Sequence, residues 1–136
     1  MSGLSNTGTD ESEVSIRLHL GAHKTATTYL QAELSRNAAV LAARDIVYVP
    51  MREFRSWRRG LSRPRPFRTR MPLARQLEQW NPECRRTCII SDENIIGTCD
   101  DIVRTGALYP KLISKLGVLA QMLRAHQPCL FLSVRS

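Results

Sequence analysis

Residues 14–31 read VSIRLHLGAHKTATTYLQ, and the fold turns on how this stretch divides. Val14, Ile16, Leu18 and Leu20 alternate with Ser15, Arg17 and His19, the period of two that a strand needs. Gly21 ends the alternation. From Thr27 the spacing becomes helical, with Leu30, Leu34, Ala38 and Leu41 on one face and Asn37 placed to divide the segment into two helices. A strand thus passes through a turn holding Gly21 and Lys24 into a helix whose first turn is rich in threonine. The opening N–H groups of a helix lack internal partners and carry partial positive charge. Threonine hydroxyls and the Lys24 ammonium add donors at the same point, so the turn is a candidate anion site. It is not a Walker A motif, because His23 and Leu18 stand where that pattern needs glycines. A solvated lysine beside capping threonines is the simpler alternative.

The same grammar extends along the chain. Ile46–Val49 is a second short strand closed by Pro50, and Thr87–Ile90 a third, apolar without alternation as a strand covered on both faces would be. Ser91-Asp92-Glu93-Asn94 reads as a strand-to-helix turn. Pro72 opens a helix through about Trp80, and Pro110 precedes a clearer one carrying Leu112, Leu116, Leu119 and Leu123. After Pro128, residues 129–134 form the fourth strand. Strands alternating with helices predict an α/β domain, a three-layer parallel-sheet, nucleotide-binding (P-loop-like) fold. Residues 1–13 are expected to be a disordered tail and 14–136 the domain. With no helix after the fourth strand, the domain is expected to be incomplete at its C-terminus.

The chain has 136 residues, 43% hydrophobic and 24% charged, which is ordinary globular composition and excludes wholesale disorder. No run is long and apolar enough for a membrane span. Four cysteines without an export signal suggest reduced thiols and a cytoplasmic setting. Cys84, Cys88 and Cys99 have poor zinc spacing, so no metal site is expected. The net charge of +8 sits in one segment: nine arginines between Arg52 and Arg75 against the single acid Glu53 give 9 − 1 = +8. Residues 51–71 read as a basic loop or lid. That segment also permits a separate reading, an Arg-rich protein binding polyanions or nucleic acid, with Phe54, Trp57 and Phe67 interleaved. A charge run is more often a solvated surface, which makes nucleic acid the weaker partner.

Gly21-Ala22-His23-Lys24-Thr25-Ala26-Thr27-Thr28, continuing through Gln31, resembles the phosphosulfate-binding loop of sulfotransferases that use 3′-phosphoadenosine 5′-phosphosulfate (PAPS), bacterial members above all. Two further segments are similar to that family: Cys88-Ile-Ile-Ser-Asp-Glu-Asn94, a strand ending in a serine and acids, and Leu130-Phe-Leu-Ser-Val-Arg135, a strand ending in an arginine. The likeness covers residues 14–136, about the N-terminal half of a typical member. Ala26 stands where the family has glycine, and the family's serine about eight residues past the arginine would fall beyond Ser136.

The resemblance implies a sulfuryl transfer from PAPS, as co-substrate and without a metal, to a hydroxyl or amine acceptor, an anionic glycan being one candidate. Lys24 would neutralise charge on the leaving phosphate. Thr25, Thr27 and Thr28, with backbone groups of Gly21, Ala22, His23 and Ala26, would hold the phosphosulfate, and Arg135 would grip the 3′-phosphate. A general base must take the acceptor's proton, and either Glu93 or Asp92 fits, since adjacent residues point differently. The same acids also suit a helix cap. An inactive, truncated family member that keeps nucleotide affinity is the alternative within the family. Acceptor and oligomeric state leave no mark in the sequence.

Overall fold

The computed structural model describes residues 14–21, 26–62, 72–126 and 128–134. Among these, four strands form one all-parallel sheet: β1 (Ser15–Gly21), β2 (Ile46–Val49), β3 (Thr87–Ser91) and β4 (Cys129–Ser133), in the order β2-β3-β1-β4. The helices are α1 (Thr27–Arg36), α2 (Ala38–Ala42), α3 (Met51–Ser62), α4 (Leu73–Trp80), α5 (Cys99–Thr105) and α6 (Leu112–Leu123). The α/β class and the parallel sheet expected from the sequence are therefore present. The expected tail, residues 1–13, lies outside the described residues.

Register explains which side chains meet. Ile16 pairs with Cys88 and Leu18 with Ile90, while Val47 and Val49 pair with the same two β3 residues. These side chains share one face of the sheet. Ile16, Leu18, Cys88, Ile90 and Val49 are almost wholly buried there. The other face carries Arg17, His19, Tyr48, Ile89 and Ser91, and Arg17 on it is exposed.

The crossovers run in opposite directions. β1 to β2 travels towards one edge, whereas β2 to β3 and β3 to β4 travel back. Right-handed connections then put α1 and α2 on one face and α3 to α6 on the other. The second layer is the thicker one: Phe54, Trp57, Leu73, Leu77, Trp80, Leu119 and Leu123 all join its core. Phe54 packs against two indoles, its ring centroid 5.8 Å from Trp57 and 6.2 Å from Trp80.

The arginine segment departs from expectation. Met51–Ser62 is a helix, not a loop or lid, while residues 63–71 lie outside the described residues. Phe54 and Trp57, three residues apart, anchor one face of α3 in the core, and arginine is itself a good helix former. Among the described residues no helix is long and apolar enough to cross a membrane.

Candidate functional site

In a parallel sheet the crevice that accepts ligands opens where neighbouring strands send their connections to opposite faces, beyond their C-terminal ends. Here those neighbours are β1 and β3. The chain leaves β1 for α1 on one face, and leaves β3 for α5 and α6 on the other. Gly21 at the end of β1, Ala26, Thr27 and Thr28 at the start of α1, and Asp92 and Glu93 after β3 all belong to this crevice. Ala22, His23, Lys24, Thr25 and Arg135 lie outside the described residues.

The two adjacent acids part company for a simple reason. Asp92 continues the extended backbone of β3, so its side chain turns to the face of α3 and that of Glu93 to the face of α1. Asp92 is wholly buried. Its Oδ1 accepts from Arg55 Nε at 2.9 Å and Arg55 Nη2 at 2.6 Å, and from the backbone N–H of Asn94 at 3.0 Å, capping the short 3₁₀ turn Glu93–Ile95. Arg58 Nη2 lies 3.6 Å from its other oxygen. With no accessible surface, Asp92 acts as cap and arginine anchor; an acceptor's proton cannot reach it in this arrangement.

Glu93 is partly exposed. Its Oε2 accepts from the Thr27 hydroxyl at 2.6 Å and, more weakly, from Gln31 Nε2 at 3.5 Å. Arg55 Nη2 stands 3.7 Å from its Oε1. Thr27 is buried, whereas Thr28 and Ala26 are exposed. Thus a short hydroxyl–carboxylate bond helps to join α1 to the end of β3. The two carboxylates are matched by the two α3 arginines, so the cluster is close to neutral.

Behind this lies a polar chain on the same face. Gln31 Nε2 donates to the Ser91 carbonyl at 3.2 Å. His19 Nδ1 is 2.9 Å from Ser91 Oγ, and its Nε2 is 2.5 Å from Ser133 Oγ, which ties β1 to both neighbours. Burial pushes the His19 pKa below its ordinary value, against the opposing pull of Glu93, which favours the neutral ring. One nitrogen then donates to a serine and the other accepts from one. Cys88 is buried under the sheet, and its thiol pKa is pushed up to about 12 by desolvation, which leaves it an inert core group. No cluster of His, Cys, Asp or Glu suited to a metal occurs among the described residues.

Ala26 precedes α1 with φ 57° and ψ 22°, a left-handed conformation, and offers no side-chain cap. Its carbonyl nonetheless accepts from Tyr29 and Leu30 N–H at 3.1 and 3.2 Å. A left-handed conformation costs an L-residue about 1–2 kcal/mol. Glycine avoids that cost but loses more chain entropy on folding, by roughly 0.5–1 kcal/mol. Ala26→Gly is therefore expected to stabilise the fold by about 0.5–1 kcal/mol, a rise of roughly 2–4 °C in Tm at this chain size. A fall in Tm by differential scanning calorimetry would contradict the left-handed assignment.

Arg55, Arg58 and Gln31 escaped the sequence reading. The signal was present in part: Phe54-Arg55 and Trp57-Arg58 repeat an apolar anchor followed by a cation, three residues apart, as one helix face would. No protein-family model matches this chain, and comparison with curated proteins and with solved structures finds no match.

Proposed function

We propose that the turn between β1 and α1 binds the phosphosulfate of PAPS and that the protein transfers the sulfuryl group to a hydroxyl or amine acceptor. The observation that carries this reading is the 2.6 Å bond from Thr27 to Glu93 at the crevice between β1 and β3. It brings a residue of the threonine-rich helix start, where an anion would bind, within reach of an acid that meets solvent. The sulfotransferase resemblance of residues 21–31 and the parallel strand order support the same choice.

The chemistry follows from these side chains. Arg55 and Arg58 offset Asp92 and Glu93, so an incoming anion is not repelled by two bare carboxylates. Bound nucleotide supplies a sulfuryl group already joined to a phosphate leaving group. Lys24 is assigned to that phosphate, where its charge stabilises the oxygen released as the S–O bond breaks. An anion oxygen at the helix start competes with Glu93 for the Thr27 hydroxyl proton. Once Thr27 turns to the anion, Glu93 Oε2 is free to take the acceptor's proton as the new bond to sulfur forms. Ligand arrival thereby readies the base.

Adenosine 3′,5′-bisphosphate is expected to raise the Tm, since a ligand at about 100 times its Kd adds about 2.7 kcal/mol of stability. Lys24→Ala should abolish the rise. An unchanged Tm of the native protein at millimolar nucleotide overturns the reading. A rise that survives Lys24→Ala but vanishes with salt or on neutralising the arginines of 52–70 would favour polyanion binding instead.

A further inference from the structure

Beside the crevice, α3, the turn after β3 and α6 border a half-open cavity of about 280 Å³. Trp57, Ile95, Val118 and Met122 give it apolar walls, and Arg58 and Lys115 are the cations that line it. Both cations are only loosely paired. Arg58 Nη2 lies 3.6 Å from Asp92 Oδ2, and Lys115 Nζ lies 3.8 Å from Asp101 Oδ2, each beyond hydrogen-bond length. Asp101 is engaged by Arg104 and by the N–H and hydroxyl of Thr98, whereas Asp92 gives Oδ1 to Arg55 and keeps Oδ2, the oxygen nearest Arg58, buried without a hydrogen-bond partner among the described residues.

Each cation keeps part of its side chain exposed. An acid group in the cavity would pair with both, while apolar walls would take up the rest of the ligand. We infer that this cavity binds a small amphipathic anion, a carboxylate on an apolar body. The inference uses neither the β1–α1 turn nor the nucleotide; it shares Arg58 with the crevice, while Lys115 belongs to the cavity alone.

Octanoate and octanol, of equal chain length, separate the charge from the apolar body. By isothermal titration calorimetry octanoate is expected to bind the native protein more tightly than octanol. Lys115→Met and Arg58→Gln should each weaken octanoate about tenfold or more, the size of a charge-assisted hydrogen bond, and leave octanol unchanged. Val118→Trp, which fills the cavity from a partly open wall, should remove both. Absent octanoate binding, equal affinity for the two, or octanoate binding that survives Val118→Trp overturns the inference. Lys115 is partly exposed on α6 and makes no bond to the buried Asp92, so its variant reports even if Arg58→Gln disturbs folding. Titrating adenosine 3′,5′-bisphosphate on the same samples keeps the two readings apart, since either ligand can fail alone.

Discussion

Asp92→Ala is expected to destabilise the protein by about 3–5 kcal/mol, the cost of stranding buried charge when one partner of an ion pair is removed. Asp92 has no exposed surface, and Arg55 is largely covered, so water cannot replace the lost carboxylate cheaply. Two guanidinium N–H groups and the Asn94 backbone N–H would lose their shared acceptor at once. Among the described residues Arg55 would keep Glu93, at 3.7 Å. Urea denaturation measures the loss, and a change below about 1 kcal/mol would show that the clamp is absent in solution. The pair itself need not be net stabilising: replacing both partners with apolar residues, as in Asp92→Leu with Arg55→Met, should restore much of the loss. A double variant as unstable as Asp92→Ala alone would argue instead for the cap on the 3₁₀ turn.

Phe54→Ala is expected to cost a comparable amount, about 3–5 kcal/mol, because the ring is wholly buried and surrounding side chains relax only partly into the space it leaves. Its two indole neighbours come from different helices, and Trp57 and Trp80 also meet edge to face at 5.6 Å. Removing Phe54 therefore loosens α3 from α4 as well as from the sheet. Such a loss is a large share of the roughly 5–15 kcal/mol that holds a domain together. The outcome discriminates sharply: were residues 51–62 a solvated loop, the same substitution would move stability by about 0.5 kcal/mol or less. Tryptophan fluorescence during denaturation reads the effect directly, since both indoles touch the site.

The strands were legible because each carries its own signal, alternation in Ser15–Gly21 and a short apolar run in Thr87–Ser91 and Cys129–Ser133. The break between α1 and α2 at Asn37 was legible too. Helix α3 was not, because only Phe54 and Trp57 mark its buried face among the arginines, too few positions for a stripe to emerge. Helix α5 is seven residues long and lacks a wholly buried side chain, and its local marks are confined to its ends, the capping box of Thr98 and Asp101 and the left-handed Gly106 that closes it. At the site, the pair Asp92-Glu93 was visible as two acids after a strand, but their division of labour was not. It depends on strand parity and on Arg55, 37 residues earlier in the chain, and no local pattern encodes that partnership.

The strand order has a kinetic corollary. β1 lies inside the sheet, yet its hydrogen-bonding partners are encoded far downstream: Ser15 meets Thr87, and Gly21 meets Ser133. As the polypeptide emerges during synthesis, the first strand waits for most of the chain before either flank can zip onto it, and every such pairing must first close a long loop. Until then Ile16, Leu18 and Leu20 form a sticky segment with unpaired backbone on both sides, the period when a chaperone has most to offer.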